Sequence, residues 1–126
     1  MRIGDRPFDL VAFSRAIEAG DVDYQLTRYA DNAQVQVREV DPNNNSPRPM
    51  LQLLGASAIQ AWIHATASDR TKPPTVTLVR VEDHLDFTER WRHRDGLNML
   101  SRSSAELCDG LITFQHTNVS WDHRPP

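Results

Sequence analysis

The sequence predicts an α+β domain in which a curved antiparallel sheet wraps around a pocket covered by three N-terminal helices. Three observations carry this. Apolar spacing is helical through most of the first half of the chain and changes to alternation in the second half. Asp-Gly occurs twice between alternating runs, at Asp95-Gly96 and Asp109-Gly110, and is the strongest short hairpin signal because a type I′ turn needs positive φ at both residues. The last two runs are long, and long strands in a small sheet must twist and bend, leaving a hollow on the concave side.

The elements follow in order. Leu10, Phe13 and Ile17 fall three and four apart and predict a helix over 8–19, with Gly20 closing it and Asp21 capping the next. The second helix carries Val22, Leu26, Tyr29 and Ala30 and is expected to end near Asp31-Asn32. Val35 and Val37 then alternate with polar residues, which marks a first strand. Asp41 to Pro49 is a Pro- and Asn-rich loop, and Met50 to Leu54 a short strand. Ile59, Trp62 and Ile63 place a third helix over 56–68, with Ser57 as its expected cap, before Lys72-Pro73-Pro74. Four strands complete the chain, over 75–83, 87–94, 97–108 and 111–121. At 126 residues and 39 % apolar content this is a single domain, 1–126, with 1–6 and 123–126 as its expected flexible ends.

Composition narrows the function. A net charge of -3 offers no broad basic surface, which argues against nucleic acid as a partner. The basic run Arg90, Arg92, His93 and Arg94 is flanked by Glu89 and Asp95 and reads as a solvated strand face. A lone cysteine, Cys108, forms no internal disulfide and suits a reducing compartment. The segment 1–7 lacks the apolar stretch of a signal peptide, and no apolar run approaches the roughly 20 residues needed to span a bilayer. A cytoplasmic protein without membrane contact is the expectation. Scattered histidines and unpaired carboxylates give no metal-ligand spacing, and nucleotide loops are missing, so neither a metal nor another cofactor is expected.

The segments AGDVD (19–23), RYADNAQV (28–35), GASAIQAW (55–62) and CDGLIT (108–113), in this order and spacing, resemble the NTF2-like (SnoaL-like, ketosteroid-isomerase-like) superfamily over nearly the whole chain. The resemblance implies a cone-shaped fold with a ligand pocket and leaves function open, because the superfamily hosts isomerases, epoxide hydrolases, cyclases, dehydratases and non-catalytic binding domains. Aligned on those segments, the isomerase tyrosine falls on Phe13, its general base on Val37 and its second acid near Ser104; a phenyl ring donates no hydrogen bond and valine takes no proton. The epoxide-hydrolase arginine falls on Arg90, but its acids fall on Arg92 and near Thr117. Both standard catalytic sets are therefore missing, and whether the chain is an enzyme stays open.

Two residues remain as provisional catalytic candidates. Glu89 lies between Phe87 and Trp91 on one strand face, where desolvation would suit a general base; the alternative is a cross-sheet pair with Arg102 or Arg80. His116 shares a face with Ile112 and Phe114 by alternation and is either a proton shuttle, a structural histidine or part of a convex-face interface. Phe13, Tyr29, Val37, Trp62, Trp91, Arg90 and Thr117 are the expected pocket residues, with Tyr29 and Trp62 on covering helices. His64, His84, His93 and His123 are expected to face solvent. The partner expected is a small apolar or aromatic metabolite, turned over if at all by acid–base isomerase, cyclase or dehydratase chemistry. The alternative is a non-catalytic homodimer through the outer sheet face, with Trp91, Phe114 and Trp121 as its apolar area.

Overall fold

Leu10–Ala19 (α1), Val22–Thr27 (α2) and Ala56–Ser68 (α3) cover one face of a mixed sheet in the computed structural model, which describes residues 8–40 and 50–122. The loop over 41–49, the ends over 1–6 and 123–126, and His123 lie outside the described residues. The strands are Tyr29–Val40 (β1), Leu51–Leu54 (β2), Thr75–Val81 (β3), His84–Arg92 (β4), Asn98–Cys108 (β5) and Leu111–Asp122 (β6). They form one curved, open, six-stranded sheet in the order β2-β1-β6-β5-β4-β3. Neighbours are antiparallel except β1 and β6, which run parallel, with Val35 opposite Gln115 and Val37 opposite Thr117. Three helices and a curved sheet are the α+β architecture expected from the sequence.

Local signals act where the chain provides them. Asp9 and Asp21 accept hydrogen bonds at 3.0 Å from the amides of Ala12 and Tyr24, capping α1 and α2. Gly20 takes φ 70° between them, a left-handed turn that a Cβ would strain. The cap of α3 is Gly55, with no side-chain hydrogen bond, so Ser57 does not fill that role. Asp109 and Gly110 both have positive φ, as the two-residue hairpin requires, whereas at the other Asp-Gly only Gly96 does. There His93 pairs with Leu97, and Arg94, Asp95 and Gly96 make a three-residue loop.

Two register changes decide which residues face inward. The second helix stops at Thr27 and Tyr29 already belongs to β1, because the Ile112 amide donates to Arg28 O at 2.8 Å and sheet pairing takes over. An aromatic side chain suits a half-buried pleat, and this tertiary demand overrides the helical spacing. In β6, Ile112 pairs with Leu107 and Phe114 with the adjacent Glu106, leaving Thr113 as an extra residue. This bulge inverts the alternation. Ile112 faces inward with Gln115 and Thr117, and His116 faces outward.

The core lies between the concave face and the helices. Phe13 is packed edge-on between Phe8 and Phe87, with ring centroids 5.0 and 5.6 Å apart. Ile17, Ile59, Val35, Leu85, Ala105 and Ile112 surround it, all essentially without solvent contact.

Candidate functional site

A cone opens between α3 and the concave side of the sheet. Its mouth is a cavity of about 470 Å³ lined chiefly by Val37, Leu51, Trp62, Trp91, Met99 and Val119. Below it lies a chamber of about 30 Å³ bounded by Phe13, Tyr29, Arg70, Phe87, Glu89 and Gln115, room for about two waters. Trp62, Thr66 and Ser101 border both spaces and form the neck. The mouth has the size of a small-molecule site.

The polar groups that the sheet contributes to the cone are placed by strand alternation. Leu85, Phe87, Glu89 and Trp91 are the inward residues of β4, and Ser101 and Ser103 those of β5. Arg70 follows α3, where its backbone bridges to His93. Its Nη2 donates to Glu89 Oε1 at 2.5 Å, with the two side chains only 9 % and 12 % exposed. The guanidinium carbon also stands 4.7 Å from the centroid of the Trp91 ring, a cation–π contact in a dry setting. Further down, the Tyr29 hydroxyl donates to Gln115 Oε1 at 2.6 Å, Gln115 Nε2 donates to Thr117 Oγ1 at 2.9 Å, and the Ser103 and Thr117 hydroxyls lie 2.8 Å apart. Burial, reinforced by the Glu89 charge and opposed by the Gln115 hydrogen bond, raises the Tyr29 pKa well above the usual phenol value, so Tyr29 stays a hydroxyl donor. Two buried donors have no protein acceptor among the described residues, Arg70 Nε and Trp91 Nε1.

Against the sequence expectations, Glu89 faces the chamber, and its partner is Arg70 rather than Arg102 or Arg80. Phe13, Tyr29 and Trp62 line the chamber, and Val37, Trp62 and Trp91 line the mouth. Thr117 is inward but lines neither space; fully buried, it supports Gln115. Arg90 is exposed on the outer face, as its place between inward Glu89 and Trp91 demands. His116 is half-buried on that outer face, beside Ser104, and shares no cavity with Glu89. The two provisional catalytic residues are thus on opposite sides of the sheet. Ser104 is outward as well. His93 is half-buried at the mouth, 3.2 Å from Asp95 and 3.6 Å from Asp69, rather than free in solvent. Trp91 lies inside and Trp121 pairs with Met99 on the inner face, which leaves Phe114 as the outward member of the proposed interface aromatics.

The residues that the sequence did not single out are Arg70, Ser101 and Gln115. Ser101 and Gln115 carry a usable signal, since polar residues on an inward strand face must be paired or line a cavity.

No protein-family model matches this sequence, and no curated protein matches it either. Solved structures do. An NTF2-like protein of unknown function from Mesorhizobium loti superposes with a TM-score of 0.63 at 18 % identity, covering 87 % of this chain and 86 % of its own. A protein from Catenulispora acidiphila with a ketosteroid isomerase-like fold, solved in complex with trimethylamine, gives a TM-score of 0.56 at 14 % identity, covering 86 % and 82 %. A computationally designed 17-OHP binder gives 0.62 at 14 % identity, covering 89 % and 94 %. The chain has the NTF2-like, ketosteroid isomerase-like fold. At these identities the likeness is one of fold, and function rests on the site. Among the described residues no helix is long and apolar enough to cross a membrane.

Proposed function

We propose that this protein binds a small apolar or aromatic molecule in the cone, with the flat body of the ligand in the mouth and its inner end at the neck. The observation that carries this is the mouth itself, about 470 Å³ of space walled by Val37, Leu51, Trp62, Trp91, Met99 and Val119 above a polar floor. Apolar walls with a few convergent polar groups are the usual composition of a ligand site. A narrowing variant tests it. Ser101→Trp would fill the neck, and an apolar aromatic compound bound by the native chain should then be lost while the fold survives by circular dichroism. Equal, non-saturable uptake by both chains across a panel of such compounds would overturn the reading.

If the bound molecule is turned over, Glu89 is the group for proton transfer: Oε1 is held by Arg70, which leaves Oε2 to work. His116 has no part in that step. Glu89→Gln should then lower kcat by at least about 100-fold, the range of a lost general base, without a matching rise in KM. The second reading, a homodimer through the outer sheet face, is supported by a groove of about 330 Å³ lined by Val79, Thr88, Arg102, Ser104, His116 and Asn118. Val79 is 54 % and Val81 64 % exposed beside it. A monomer by sedimentation at high micromolar concentration would remove it.

A further inference from the structure

We infer that the cone selects an uncharged ligand with a hydrogen-bond-accepting oxygen, which docks on the donor pair Arg70 Nε and Trp91 Nε1. This deepens the binding function proposed above and rests on it. Both atoms are buried and without a protein acceptor among the described residues. Both side chains are about nine-tenths buried, Arg70 at 9 % side-chain exposure and Trp91 at 9 %. A buried donor left unmade is costly, and two in one place mark a position where something else supplies the acceptor. The two side chains are in contact, the guanidinium carbon 4.7 Å from the indole centroid. Trp91 lines the mouth and Arg70 the chamber beneath, so an oxygen reaching them comes from a molecule seated in the mouth and pointing inward.

The charge around them specifies the kind of oxygen. The Arg70 charge is already answered by Glu89 through Nη2, and Glu39 and Asp69 stand at the mouth. A ligand carboxylate would add a second anion beside Glu89 with a single buried cation between them, an arrangement that low dielectric penalises. An uncharged carbonyl, ether or hydroxyl oxygen accepts from Nε–H and Nε1–H without that conflict. The apolar walls and Trp62 hold the rest of the molecule.

Three probes of similar size separate the possibilities: acetophenone, ethylbenzene and benzoate, titrated at millimolar concentration into the ¹⁵N-labelled full chain. The indole N–H resonances are assigned with Trp62→Phe, Trp91→Phe and Trp121→Phe. Acetophenone should move the Trp91 indole N–H downfield saturably and bind about fivefold tighter than ethylbenzene, the worth of one net hydrogen bond. Benzoate should bind more weakly than acetophenone. Arg70→Lys keeps a cation for Glu89 but removes the Nε–H, and should lower the ratio of acetophenone to ethylbenzene affinity, both measured in the same variant. Trp91→Phe removes the Nε1–H together with part of the mouth wall, so both affinities, read from the Trp62 indole N–H, should fall, that of acetophenone by more. Equal affinity of acetophenone and ethylbenzene in the native chain would mean that a resident water satisfies the donors, and would overturn the inference while leaving the pocket standing. Benzoate binding tightest would also overturn it. If none of the three perturbs the Trp62 or Trp91 indole, the pocket falls and this inference with it.

Discussion

The inner face of β4, β5 and β6 carries Glu89, Ser101, Ser103, Gln115 and Thr117; the outer face of the same strands carries His84, Asp86, Arg102, Ser104 and His116. By residue type the outer set has more chemistry to offer, a histidine, an aspartate and a serine in contact and a second histidine opposite the serine. Its geometry is the poorer. Asp86 Oδ1 and Ser104 Oγ both approach the same ring nitrogen, His84 Nε2, at 3.0 Å. A serine–histidine–acid relay needs the acid on one nitrogen and the serine on the other. His84 and Asp86 are also 49 % and 60 % exposed, so water competes with each contact. On the inner face the Arg70–Glu89 pair and the Tyr29–Gln115–Thr117 chain are dry, and each hydrogen bond there is fixed by packing. What separates the two faces is burial, and in β6 one extra residue decides which side chains are buried.

That residue offers the most drastic way to break the comparison. Removing Thr113 erases the bulge between Glu106 and Leu107, so either Ile112 or the Gln115 and Thr117 pair must turn outward. Either result exposes core or buries His116 in apolar surroundings. We expect a loss above about 4 kcal/mol, in practice an unfolded chain by circular dichroism, since register slips invert a whole face. A folded deletion variant with native near-ultraviolet signal would show that the bulge does not set the inward face.

Next in size is the buried ion pair. Glu89→Ala leaves Arg70 charged, buried and without its carboxylate, and should cost about 3–5 kcal/mol in urea denaturation. The double variant Glu89→Leu with Arg70→Met should recover most of that loss, because an apolar pair of similar volume removes both charges. No recovery would mean that the pair is favourable in its own right.

Tyr29→Phe removes the hydroxyl and leaves Gln115 Oε1 without a donor, an expected loss of about 1–3 kcal/mol. The same residue gives a pH signature. Its folded pKa is raised by burial first and by the Glu89 charge second, above a reference value of 10.0. The folded state therefore holds the Tyr29 proton more tightly than the unfolded state does. Its contribution is complete below pH 10 and declines as pH rises beyond that, by up to about 1.4 kcal/mol per pH unit. Stability of the native chain relative to Tyr29→Phe, followed from pH 9 to pH 11.5, should fall. A flat difference would mean that Tyr29 is not buried in solution.

The unequal legibility of the two faces follows from the same physics. Helices α1 and α3 and the strand alternation around Glu89 were readable because period is a local signal within a few residues, although the cap expected at Ser57 is Gly55. Arg90 was expected in the pocket from the superfamily alignment, and that expectation fails because strand period makes it point away from its inward neighbours Glu89 and Trp91. His116 was misplaced because one inserted residue in an alternating run has no distinctive composition. Tyr29 was misplaced because helix α2 is only six residues long and the pull on it comes from β6, far along the chain. Arg70 carried no signal at all: it stands in an aperiodic connector, and its partner Glu89 is 19 residues away.

The smallest effect is the one expected outside. Asp86→Ala removes the acid next to His84 on the outer face, yet both groups are half in water and Ser104 still reaches the same nitrogen. The change in stability should be within about 0.5 kcal/mol, and it should shrink further in added salt, which screens exposed charges. Ligand binding in the cone should be unaffected, because the sheet stands between Asp86 and the mouth. A loss comparable to that of Glu89→Ala would mean that this face is covered in solution. Under those conditions the His84–Asp86 contact is desolvated and the outer groove is an interface. Sedimentation of the native chain and of Asp86→Ala at matched concentration would then separate a broken dimer from a weakened fold.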